Sequence, residues 1–139
     1  MSSWIQAFTR VHKFLYRISG GLVGHRLGKQ ATLLLFTIGA RSGKRHSTTL
    51  AYYRDEGRYL VVASNWGKEH NPGWYYNLIS RSSAVIQVGT KKITVDARPA
   101  KGEEYTQLWQ LVTQQNGQYI EYQRGLNRRI PIMVLTPVT

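Results

Sequence analysis

Strand follows strand in this chain with very little between them. "STTLAYYR" (47–54), β-branched and aromatic, passes through the tight turn "DEG" (55–57) into "RYLVVAS" (58–64), the pattern of a hairpin. "SAVIQVG" (83–89) and "KKITVDARPA" (91–100) make a second hairpin turning near Gly89 and Thr90. "ATLLLFTI" (31–38) is a continuous apolar run, short enough for a strand buried on both faces. "RRIPIMVLTP" (128–137) closes as a last strand, and Pro131 points to an edge or a bulge. About six strands joined this way predict a mainly antiparallel sheet, hence an α+β fold or a small barrel.

Helices interleave with the strands. In "SWIQAFTRVHKFLYRI" (3–18), Trp4, Phe8, Val11, Leu15 and Ile18 recur at spacings of three and four and share a face. Arg10, Lys13 and Arg17 form a basic stripe beside it. Such a helix docks on its own domain or lies in an anionic membrane interface, and both readings are open. "SGGLVG" (19–24) breaks it as a hinge. Asn71 followed by Pro72 reads as an N-cap and first helical position, with a short helix to about Ser80. "GEEYTQLWQLVTQQNG" (102–117) is a helix with acids in its first turn, Leu108, Trp109 and Val112 inward, and Gly117 as its stop. "QYIEYQRGLN" (118–127) is a further short helix. Neither a repeat nor a low-complexity linker interrupts the 139 residues, so one domain spanning 1–139 is expected.

Charge is the strongest compositional signal. Nineteen Lys and Arg face seven acids, for a formal net charge of +12. The first acid is Asp55, and nine cations precede it. That field favours phosphates, polycarboxylates, nucleic acid or an anionic membrane surface. With no cysteine, thiol catalysis, disulfides, thiolate zinc and iron–sulfur clusters are excluded. The four histidines lack ligand spacing, so no metal is expected. Without an apolar run of spanning length or a signal-peptide pattern, the expected location is cytoplasmic, with peripheral membrane contact through residues 3–18 as the alternative.

Two segments carry candidate chemistry. In "TIGARSGKRHSTTL" (37–50), Arg41, Lys44 and Arg45 arrive with two glycines and no acid. The stretch fails the P-loop template: three residues separate its glycines, Arg45 follows Lys44, and a strand follows where a helix is needed. What remains is a Gly-punctuated loop between strands, with hydroxyls at Ser42, Ser47 and Thr48 and cations suited to a carboxylate or phosphate. The second segment, "ASNWGKEHNPGWYYNL" (63–78), puts Ser64, Gly67, Lys68 and His70 before a helix start and the aromatics Trp74, Tyr75 and Tyr76. Its backbone N–H groups suit an anion and its rings a flat heterocycle.

Three segments together, "TIGARSGKRHSTTLAYY", "RYLVVASNWGKEHNPGWYYNL" and "YIEYQRGLNRRIPIMVL", resemble the deazaflavin-dependent nitroreductase family. Its members carry a G-R-K-S-G-x-x-R-x-T-P-L loop, an A-S-x-G-G…P-x-W-x-x-N-L segment and a final R-x-I-P-V-x-x-L strand. The match runs in order over about residues 30–138. It implies a split β-barrel that binds the 5-deazaflavin coenzyme F-420 and passes hydride to quinones, nitroaromatics or other electron-poor acceptors. By resemblance, Arg41, Ser42, Gly43 and Lys44 hold the coenzyme's phosphodiester and oligoglutamate tail. Arg45, His46, Thr48 and Thr49 extend that loop. Ser64, Asn65, Trp66, Gly67, Pro72, Trp74 and Asn77 shape the ring pocket. Tyr119, Tyr122 and Ser64 are the catalytic candidates, the tyrosines facing the acceptor.

The chain departs from the pattern at five places. Ala40, His46 and Thr49 replace a basic residue, an Arg and a Pro of the loop; Asn65–Trp66 stands where small residues are usual; and Ala51 stands where some members carry a Tyr. Trp66 would narrow or cover the ring site. Other readings stay open: an FMN-binding reductase of the same barrel, a membrane-associated coenzyme carrier without turnover, and a nucleic-acid module. The last lacks any recognised signature, so no nucleic-acid partner is expected. Oligomeric state is left open.

Overall fold

The computed structural model describes residues 30–138. The helix expected at 3–18 and its break at 19–24 lie outside them. The described strands are β1 (Thr32–Ile38), β2 (Arg45–Ala51), β3 (Tyr53–Asp55), β4 (Arg58–Val62), β5 (Ser83–Val88), β6 (Lys91–Pro99) and β7 (Ile132–Pro137). Helix α1 (Gly73–Ser80) precedes β5, and α2 (Gly102–Gln115) and α3 (Gln118–Arg124) precede β7. All pairings are antiparallel, in the order β2-β1-β5-β6-β7-β4-β3. Both expected hairpins are present, with Asp55 opposite Arg58 and Val88 opposite Lys91.

The strand order explains why there are seven strands and not six. The run read as one strand at 47–54 divides at Tyr52. Before it, β2 pairs with β1 at one edge of the sheet; after it, β3 pairs with β4 at the other. The Tyr52 N–H still donates to the Ala31 carbonyl at 3.2 Å. One residue therefore spans the two edges, which requires the sheet to curl until they meet. This is a split β-barrel with α+β content.

Alternation along the strands sorts side chains into two cores, as a period of two demands. Inside the curl, Leu33, Leu35, Tyr59, Val61, Ile86, Met133 and Leu135 pack together, and α1 closes this core with Trp74 and Leu78. On the other face of β4 and β7, Leu60, Val62, Ile132 and Val134 pack against Tyr105, Leu108 and Val112 of α2 and Tyr119 of α3. Leu33, Leu34 and Leu35 are all fully buried, so β1 is covered on both faces as its apolar run predicts.

Three local expectations are corrected. Pro131 does not mark an edge, since β7 lies between β6 and β4; it stands just before the strand, and its carbonyl accepts from the Ala63 N–H at 2.9 Å. Asn71 does not cap α1: Pro72 is the cap residue, with extended backbone and no side-chain cap bond. The inward face of α2 is Tyr105, Leu108 and Val112; Trp109 is half-buried and stacks on Tyr105 with ring centroids 6.0 Å apart. Among the described residues, no helix is long and apolar enough to cross a membrane.

An ion network fastens α2 to the sheet. Arg98 of β6 donates from both Nη atoms to Glu104 at 2.6 and 2.9 Å. Arg58 of β4 donates to Glu104 at 3.1 Å and to Asp55 at 2.5 Å. The Arg98 hydrogen bonds, reinforced by Arg58 and opposed by desolvation, lower the Glu104 pKa to about 2. A carboxylate held down in this way stabilises the fold above its unfolded pKa, and the contribution fades as pH falls through the folded value. Glu104→Gln should lower the urea midpoint at pH 7, and the gap to wild type should close between pH 4.5 and about 2, followed by circular dichroism.

Candidate active site

The loop between β1 and β2 is the basic stretch, and its shape is set by short bonds. The Gly39 N–H donates to the Lys44 carbonyl at 2.7 Å, the Gly43 N–H to Gly39 at 3.0 Å, and the Lys44 N–H to Ser42 Oγ at 3.1 Å. Gly39 permits the fold: a Cβ there would lie 2.4 Å from Ser42 Oγ and 2.9 Å from His46 Nε2. Asn77, on α1, holds the loop in place. Its Oδ1 accepts from the Ala40 N–H at 2.9 Å and its Nδ2 donates to buried Thr37 at 3.1 Å. Both ends of that amide are thus engaged in positioning the loop.

A cleft starts at this loop. Its first cavity, about 660 Å³, is lined by Ala40, Arg41, Ser42, His46, Thr48, Trp74, Tyr76 and Asn77 among others. A second, about 340 Å³, continues past Thr49, Ser64, Asn65, Trp66 and Pro72 to Tyr119 and Tyr122. Thr48 and Trp74 line both, so the cavities are two ends of one cleft. One end is cationic and the other aromatic. Among the described residues, neither Arg41 nor Lys44 has a carboxylate partner. At the aromatic end, the Thr49 Oγ1 is buried and has no hydrogen-bond partner among the described residues.

Most residues expected at the site line this cleft, and four do not. Gly43 and Lys44 form the exposed outer tip of the loop. Arg45 lines a separate groove with Phe36 and Lys92. Gly67 lies behind the wall, where a Cβ would come within 2.8 Å of the Tyr122 ring.

The segment after β4 has unusual backbone. Asn65, Trp66 and Gly67 have φ of 49°, 59° and 80°, three left-handed residues in a row. For a bulky side chain such a conformation costs about 1–3 kcal/mol. Arg128 offsets the cost. Its guanidinium donates to the carbonyls of Ala63 (3.2 Å), Ser64 (2.9 Å) and Lys68 (3.0 Å), and to Asn71 Oδ1 (2.6 Å). This is why Asn71 does not cap the helix. Gln123 of α3 positions Arg128 in turn, donating to its carbonyl at 2.8 Å and accepting from the Ile130 N–H at 2.9 Å. Arg128 was missed as a site residue, although it is the Arg of the terminal R-x-I-P motif.

The tyrosines differ from one another. Tyr119 is 7% exposed, and its hydroxyl lies 2.9 Å from that of Tyr53, which in turn lies 3.4 Å from Gln30 Oε1. Burial first, then the bond to Tyr53, pushes its pKa up, so Tyr119 stays protonated. Tyr122 is half-buried and packs on Gly67.

A curled antiparallel barrel with a cleft that joins a cationic loop to an aromatic pocket defines a split-barrel protein of the flavin- and deazaflavin-binding class. Comparison with known proteins narrows this. The chain belongs to the F-420H(2)-dependent quinone reductase family, whose model matches residues 8–137. It is 39% identical over 145 aligned residues to an F-420H(2)-dependent quinone reductase of Mycobacterium tuberculosis, covering 98% of this chain and 97% of that protein. The solved structure of an F-420-H2 dependent reductase (FDR-A) superposes with a TM-score of 0.69 at 33% identity, over 75% of this chain and 92% of the other. A second structure, described as a domain-swapped dimer, gives 0.72 at 29% identity over 96% and 97%.

The clamp makes a direct test possible. Arg128→Ala removes four hydrogen bonds, to three carbonyls and Asn71, and should cost about 2–4 kcal/mol, measured by urea unfolding. Asn71→Ala, which removes one acceptor only, should cost about 1 kcal/mol.

Proposed function

We propose that this chain is an F-420-dependent oxidoreductase that reduces quinone-type acceptors, with the coenzyme's anionic chain at the cationic end of the cleft and its ring towards the aromatic end. The observation that carries the reading is the continuity of the two ends through Thr48 and Trp74. The residues fit the group: among the described residues neither Arg41 nor Lys44 has a carboxylate partner, and Trp66, Tyr119 and Tyr122 line the ring end. When bound, the reduced coenzyme supplies hydride; the acceptor gains that hydride and a proton.

The chain's own residues then have separate tasks. Arg41 and Ser42, with Lys44 at the tip, bind negative charge. Asn77 and Arg128 are positioning residues, fixing the loop and the Ser64 segment. Ser64 lines the pocket and offers a hydroxyl. Tyr119, kept neutral by burial at the aromatic end, is the hydroxyl assigned to acceptor oxygen, where it would donate as charge develops. Nitroaromatics, flat and electron-poor, suit the same end. The basic amphipathic pattern of residues 3–18 suits an anionic membrane surface, where lipophilic quinones partition.

Fluorescence titration with F-420 of different tail lengths, beside FMN, tests the reading. Arg41→Ala and Lys44→Ala should each weaken F-420 binding about tenfold at low salt, with smaller losses at high salt and for shorter tails. Tighter binding of FMN than of F-420 would overturn it. Tyr119→Phe should lower kcat about tenfold to hundredfold with F-420 affinity kept within about twofold, measured by single-turnover quinone reduction.

A further inference from the structure

Two indoles line the cleft, and Trp66 is the unprotected one: it is 54% exposed at the aromatic end, against 7% for Trp74. Its backbone is left-handed, φ 59° and ψ 25°, a conformation that suits glycine and penalises an indole. The turn bearing it is rigid. The Gly67 N–H donates to Ser64 at 2.9 Å and the Lys68 N–H to Asn65 at 3.1 Å. Asn65 Nδ2 reaches the His70 carbonyl at 2.9 Å, and Arg128 ties both legs together. Tyr122 packs against the Gly67 backbone of the same turn. A strained, pinned turn that presents an exposed indole to a concave site is a preformed surface for a flat ligand.

We infer that Trp66 is a specificity-determining residue: its indole is the stacking face for the acceptor and selects flat, fused-ring quinones over single-ring ones. Electron-rich indole and electron-poor quinone are complementary face to face, and a fused ring covers more of the indole. The indole is assigned to the acceptor because Trp66 lines the end that holds Tyr119, the hydroxyl given above to acceptor oxygen, and not the end lined by Arg41. A fixed platform also binds without the cost of ordering a mobile side chain. The inference rests on the quinone reading above.

Trp66→Gly is a gentle test, since glycine adopts this backbone freely and the fold is retained or stabilised. Steady-state kinetics with reduced F-420 would compare 1,4-naphthoquinone with 1,4-benzoquinone. Calorimetry of each quinone with protein loaded with oxidised F-420 gives a readout independent of turnover. Expected are rises of about tenfold in naphthoquinone KM and Kd, with about twofold for benzoquinone. F-420 affinity should fall by less than naphthoquinone affinity, and Trp66→Phe should lie between glycine and wild type. Equal effects on the two quinones, or none, would overturn the inference and leave the quinone reading intact. A larger loss of F-420 affinity than of naphthoquinone affinity in Trp66→Gly would overturn it by assigning the indole to the coenzyme. Wild-type protein that binds F-420 but reduces neither quinone would sink both.

Discussion

The barrel depends on one constraint: the two edges of the sheet belong to the same short piece of chain. β2 and β3 are separated by Tyr52 alone, yet each lies at an opposite end of the strand order. A flat sheet cannot satisfy that connection, so curvature follows from covalent geometry. Once the sheet curls, β1, β5, β6, β7 and β4 all turn one face inward, and the first core forms there. The loop at one end of β2 and the pocket wall along its length are carried to the cleft by the same strand.

On that frame, two polar side chains convert loops into a site. Asn77 binds the basic loop to α1, and Arg128 binds the left-handed turn to the segment leading into β7. Each satisfies backbone groups that a loop leaves over, the general requirement for burying irregular chain. Neither needs to touch a ligand. Their effect is that Arg41 and Trp66, at opposite ends of the cleft, sit on backbone that has little freedom.

Local chemistry was readable in the sequence, and long-range claims on side chains were not. The hairpins at 55–57 and 89–90 follow from turn residues between β-formers, and the loop at 39–44 from its glycines and cations. The division at Tyr52 depends on where β1 and β4 lie, which no local window contains. Asn71 has the composition of a cap, but a guanidinium 57 residues later takes its side chain. Pro131 has the composition of an edge residue, yet it stands outside the ladder of a central strand. The Tyr53–Tyr119 pair joins residues 66 apart. No local window around the tyrosine expected at the acceptor shows that its hydroxyl is buried against Tyr53.

The unpaired charge of the loop has a further consequence for traffic in the cell. Attraction by Arg41 and Lys44 acts on any polyanion, and within about 8 Å of the surface at physiological salt it does not discriminate among them. Nucleotides and polyphosphates are drawn to the same rim. Past Thr48 and Trp74 the cleft passes from a chamber of about 660 Å³ to one of about 340 Å³, so charge acts at the rim and shape acts beyond it.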